Sequence, residues 1–212
     1  NRFAFPRSLR NVAVPQNNEG RGFVSDRNRG DLCKVFPSAN SSDVTKALKR
    51  RFDGLHIHEK CYYQSYYPTD DVLASLERII DPRAQQSRRL RSKLNVTGNT
   101  QDCLGMTPLH ILACSTKHDV RLYQLLIEKY PENLITNDKW GDIPLLYACW
   151  CRAPAEILQL LSKSQTSLFP EYVLNGVGMV ETLSRANAPL FCIQNLLEAL
   201  QTSNSDQHVN WQ

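Results

Sequence analysis

The chain has 212 residues, 42% of them hydrophobic and 22% charged, with a net charge of +4 at pH 7. That is enough apolar material for a sizeable core, and the charge excess is too modest to mark a polyanion binder by composition alone. Mean hydropathy is −0.41, and no apolar run reaches the roughly 20 residues that span a bilayer, so a transmembrane protein is not expected.

The cysteines number seven, an odd count, and their spacing fits neither a disulfide framework nor a zinc site. Cys149-Trp150-Cys151 is not a Cys-x-x-Cys pair. An intracellular, reducing compartment is the expectation, with no organelle specified. The triplets Asn40-Ser41-Ser42 and Asn95-Val96-Thr97 would be glycosylation sites only in a secreted chain. The sequence shows no signal peptide, and since it starts at Asn a fragment, a processed form or the ordered part of a longer protein is expected.

In chain order, residues 1–40 read as a strand and loop segment. Phe5 to Pro15 is a short strand bounded by prolines, and 16–31 is polar and Gly-rich. Residues 41–80 read as a degenerate first helical repeat. Ser42 caps a short helix through Val44, Ala47 and Leu48, and Phe52-Asp53-Gly54-Leu55-His56-Ile57-His58 forms a turn and helix start. Pro68-Thr69-Asp70-Asp71 opens another helix, with Val72, Leu73, Leu76, Ile79 and Ile80 at helical spacing. The run Tyr62-Tyr63-Gln64-Ser65-Tyr66-Tyr67 is expected to pack between helix pairs. Residues 81–101 read as a basic loop insertion. Arg83, Arg88, Arg89, Arg91 and Lys93 fall there with no acidic residue between 82 and 101, and Lys46, Lys49, Arg50 and Arg51 make a second basic segment.

Residues 102–201 read as repeats, followed by a tail at 202–212. Asp102-Cys103-Leu104-Gly105-Met106-Thr107-Pro108-Leu109-His110 returns 36 residues later as Asp138-Lys139-Trp140-Gly141-Asp142-Ile143-Pro144-Leu145-Leu146. A period of this size means stacked supersecondary units. Each Asp favours a tight turn by bonding nearby amides, and Gly105 and Gly141 can take positive φ. Thr107 is a good N-cap and Pro108 suits the first helical position. Ile143 cannot cap in that way. The following helices repeat as well: Asp119 to Ile127, Ala153 to Leu161 and Ala188 to Leu196, with Gln124, Gln159 and Gln194 in register. The third unit lacks the Asp–Gly turn, and Met179 to Leu183 supplies its first helix. His58 falls where His110 does. Cys114, Cys149 and Cys192 fall on helices and are expected in the core.

Thr107-Pro108-Leu109-His110, with the turn before it and the second copy, resembles the ankyrin repeat. Phe5 to Pro15 resembles the last rung of a leucine-rich repeat. With Arg51 to His58, Tyr62 to Tyr67, Leu126 to Ile135 and Arg185 to Pro189, residues 5–212 look like the C-terminal part of leucine-rich-repeat/ankyrin hybrid proteins of unicellular algae. The resemblance implies a mainly α fold: an ankyrin-like solenoid of stacked helix-turn-helix repeats after a short N-terminal strand and irregular segment. It also implies that His110 bonds a neighbouring repeat's backbone, and that partners touch the turn tips and first helices. The contact residues are then Cys103, Leu104 and Met106 in one turn and Lys139, Trp140 and Asp142 in the next. Trp140 leads, as a large aromatic at a tip.

The expected function is a non-enzymatic protein–protein interaction module or scaffold. The alternative is a structural accessory subunit of a large assembly, contacting nucleic acid or an acidic surface through 46–51 and 83–93. No catalytic, cofactor or metal residues are assigned, since His56 and His58 at i and i+2 face different ways. The partner is another protein, and an obligate homo-oligomer is not expected.

Overall fold

The computed structural model describes residues 50–81 and 98–204. The sequence readings for 1–40, the Ser42 helix, most of the basic insertion with its five cations, both glycosylation triplets and the end of the tail lie outside those residues. Among the described residues the fold is helical, with eight α-helices and two short 3-10 helices and no strand. Gly54, Gly105 and Gly141 have φ of 73°, 75° and 87°, a left-handed backbone that costs glycine little. Each glycine closes a turn just ahead of a helix.

Three helix pairs follow those turns. The first is α1 (His56–Tyr63) and α2 (Thr69–Ile80), with the 3-10 helix Gln64–Tyr66 between them. The second is α3 (Pro108–Ala113) and α4 (Val120–Lys129), closed by the 3-10 helix Pro131–Leu134. The third is α5 (Pro144–Trp150) and α6 (Ala155–Leu168). A fourth pair, α7 (Gly176–Arg185) and α8 (Leu190–Asn204), lacks the turn. Asn175 caps α7 by accepting from the Gly178 amide. The last pair ends slightly beyond the expected boundary, since α8 continues to Asn204.

Local chemistry explains the starts. Thr107 and His110 make a capping box at α3 with Pro108 at its first position. Ile143 leaves α5 without a side-chain cap, and Asp119 caps α4 through the Arg121 amide. The ends of α5 and α7 are alike. Arg152 and Asn187 sit at φ 62° and 54°, and the amides of Ala153 and Ala188 reach back to the Ala148 and Leu183 carbonyls at 2.8 and 2.9 Å.

The helices pack in two rows. In one, α1 packs on α3 and α3 on α5; in the other, α2 packs on α4, α4 on α6 and α6 on α8. Within each pair the two helices also touch. Tyr123, Tyr147, Leu109, Leu112, Leu122, Leu126, Leu158 and Leu161 are fully buried along the junction of the rows. Each buried leucine stabilises by roughly 2 kcal/mol through apolar area withdrawn from water. Cys149 and Cys192 belong to this core as expected, and Cys114 is half-buried at the end of α3. Residues 98–101, read as the end of a loop insertion, are part of the packing. The Asn133 side-chain amide donates to the Gly98 carbonyl at 3.0 Å, and a Cβ on Gly98 would overlap the Tyr130 ring. Among the described residues no helix is long and apolar enough to cross a membrane.

Candidate functional site at the turn tips

The turns preceding α3 and α5 are the same object built twice. Asp102 Oδ1 accepts from the amides of Leu104 and Met106 at 2.8 and 2.9 Å. Asp138 Oδ1 accepts from the amides of Trp140 and Asp142 at 2.9 and 3.0 Å. The Asp102 amide donates to the Met106 carbonyl at 2.9 Å, and Asp138 to Asp142 at 3.0 Å. One carboxylate oxygen thus holds each tip, because an ionised acceptor makes stronger bonds to backbone N–H than a neutral one. The second oxygen is used differently. On Asp102 it takes Arg51 Nε at 2.7 Å, whereas on Asp138 it takes the Tyr147 hydroxyl.

The two tips are fastened to each other. The Lys139 amide donates to the Leu104 carbonyl at 3.0 Å. Gln101 Nε2 bridges the carbonyls of Gly105 at 2.6 Å and Asn137 at 2.8 Å.

Two histidines tie successive units. The Thr107 amide donates to His110 Nδ1 at 3.1 Å, so Nδ1 carries no proton and Nε2–H donates to the Asp142 carbonyl at 3.0 Å. His58 Nε2 makes the same contact one unit earlier, to the Met106 carbonyl at 3.0 Å. Met106 and Asp142 are the same position of the turn. The reading of His58 as a copy of His110 therefore holds in the contacts. His56, by contrast, is exposed and lies 4.0 Å from Glu59, and among the described residues no cluster of metal-ligating side chains occurs.

Of the expected contact residues, Lys139 and Cys103 are exposed and Trp140 is 38% exposed on the second tip. Leu104 is half-buried against the core. Met106 is only 3% exposed, which corrects its assignment to the contact surface: the turn directs its side chain inward, and its sulfur accepts from Arg51 Nη2 at 3.1 Å. A signal for this exists in the sequence, since the residue before an N-cap regularly packs on the helix's fourth position. Asp142 is half-buried, and burial together with Asp138 pushes its carboxyl up to about 7. Arg83, Arg88, Arg89, Arg91 and Lys93 lie outside the described residues. Of the other basic segment, Arg50 is exposed and Arg51 is committed to Asp102. Tyr62 is buried as expected, while Tyr66 and Tyr67 are exposed.

Sequence reasoning missed Arg51 and Gln101 as lock residues, because their partners are distant in the chain or belong to the next turn. Comparison of the chain with protein-family models, with curated proteins and with solved structures finds no match.

Proposed function

We propose that the chain is a non-enzymatic protein-binding module of ankyrin-like repeats that meets its partner through the turn-tip row, with Trp140 as the central anchor. The reading is supported by the repeated Asp–Gly turn, the paired histidine contacts and the two rows of helices. The observation that carries it is the placement of Trp140. A large aromatic is held in water on a turn whose backbone is fixed by Asp138. Such a side chain loses little conformational freedom on binding, and aromatics dominate interface energetics. Lys139 and Leu104 flank it, joined through the Lys139 amide, and give the surface a positive rim and an apolar floor.

A photo-cross-linking amino acid at position 140 tests this in cells of the native source. A discrete protein adduct is expected there and not from the same group at the exposed position of Glu156 on α6. Absence of an adduct at 140, or equal adducts at both positions, overturns the reading.

A further inference from the structure

The third and fourth helix pairs align with an offset of 35 residues. Arg152 corresponds to Asn187, both with left-handed backbone, and α6 starts at Ala155 as α8 starts at Leu190. A groove of about 440 Å³ on the last pair is lined by Val177, Val180, Glu181, Ser184, Arg185 and Leu197. Their counterparts one pair earlier are Asp142, Leu145, Leu146, Cys149, Trp150 and Ser162. There the same place is occupied. The Cys149 thiol donates to the Cys192 carbonyl at 2.8 Å and the Ser162 hydroxyl to the Ala199 carbonyl at 3.0 Å. Helix α8 lies across it, and all those counterparts except Asp142 are buried. On the last pair Val177 is 41% exposed, Glu181, Ser184 and Arg185 are exposed, and Val180 and Leu197 are half-buried.

We propose that this groove binds an amphipathic α-helix of a partner protein, laid on the last pair as α8 is laid on the pair before it. The precedent within the fold sets the chemistry of the occupant. Cys192 and Ala199, whose carbonyls take those two bonds, are small residues two turns apart on the buried face of α8. Small side chains let helix backbones come near each other, so the incoming helix carries small residues at i and i+7. Its apolar stripe meets Val177, Val180 and Leu197. Leu190, 69% exposed, lies two turns before Leu197 on the same face of α8 and lengthens that contact. The rim is charged: Glu181 and Arg185 pair at 3.1 Å, and a helix flanked by one base and one acid complements them. This site is separate from the turn tips and does not depend on the role of Trp140.

The probe is a fluorescent peptide spanning residues 188–204, which is α8 with the two residues before it, cross-linked between exposed positions to hold it helical and remove its own folding cost. Saturable binding to the full chain is expected by fluorescence anisotropy. It should weaken about tenfold or more in Val177→Asp, which loses about 1.4 kcal/mol of binding, and in Ser184→Trp, which fills the groove. Both substitutions fall on exposed positions, so circular dichroism and thermal unfolding should match the parent. Trp140→Ala should bind the peptide as the parent does, which separates this result from the turn-tip reading. Absence of saturable binding, or binding indifferent to both groove variants, overturns the proposal. So does binding that appears only after removal of residues 205–212, which would give the groove to that segment. A dimer in sedimentation that Val177→Asp disperses would give it to a second copy and also overturn the proposal.

Discussion

Gly105 and Gly141 share a positive φ and differ in what surrounds them. A Cβ on Gly105 would lie 2.6 Å from the Lys139 backbone nitrogen, whereas nothing lies within 4 Å of one on Gly141. Gly141→Ala should therefore cost only the left-handed penalty, about 1 kcal/mol. Gly105→Ala adds a clash with rigid backbone and should cost roughly 3 kcal/mol. Urea unfolding of both variants checks the order; equal costs would mean that the tips are not in contact. The same turns carry two titrations of opposite sign. Burial pushes His110 down to about 4, below its unfolded value of about 6.5. Its contribution is complete above pH 6.5 and is lost as pH falls towards 4. Asp142 is raised to about 7 from about 3.9 in the unfolded chain. Its contribution is complete below that unfolded value and is lost as pH rises towards 7. The two oppose each other between pH 4 and 6.5. Asp142→Asn should then leave the buried histidines His58 and His110 unopposed, giving stability that climbs with pH across this range. A variant whose pH profile matched the parent's would contradict the burial of Asp142.

At the level of elements, a histidine reaching a carbonyl of the following turn ties each of the first two helix pairs to the next. His58→Leu removes one bond to a carbonyl that keeps its second partner and should cost about 1 kcal/mol, whereas His110→Leu also takes away the acceptor of the buried Thr107 amide and should cost about 3 kcal/mol. The inter-unit contact itself is 3.0 Å in both cases, so the excess cost at His110 measures its capping of α3. If denaturant unfolding found either substitution neutral, the equivalence of the two junctions would fail. This equivalence was legible in the sequence, as were the Asp–Gly turns, the Thr107 cap and the positions of all four second helices, α2, α4, α6 and α8. Those features depend on chemistry within a few residues or on simple periodicity. What escaped was directional or long-range. The inward aim of Met106 follows from turn geometry, and Arg51 finds Asp102 across 51 positions, a distance no local pattern encodes. Gln101 looked like the end of a loop because its partners are main-chain carbonyls, one of them on the next tip.

Over the described residues, one arrangement would serve both stability and the proposed docking. The carboxylates, glutamine and histidines that fasten the first three pairs lie at the turn end of the helices, so the surface proposed for a partner is also braced backbone. Trp140 stands on that bracing and is not consumed by it. The last described pair differs: it replaces Leu146, Cys149 and Trp150 with Glu181, Ser184 and Arg185, yet leaves Val177 and Leu190 in water. The outer face of this pair is therefore only partly polar. The central claim is that the tip row is the docking surface and Trp140 its anchor. It is tested most directly by quantifying the proteins retained from the native source by the parent chain and by Trp140→Ala, with matched thermal unfolding. Loss of a hot-spot aromatic costs about 2 kcal/mol or more, so at least one protein held in fixed stoichiometry by the parent should fall at least about tenfold with the variant. Retention of the same proteins at the same yield by a folded Trp140→Ala chain would contradict the account.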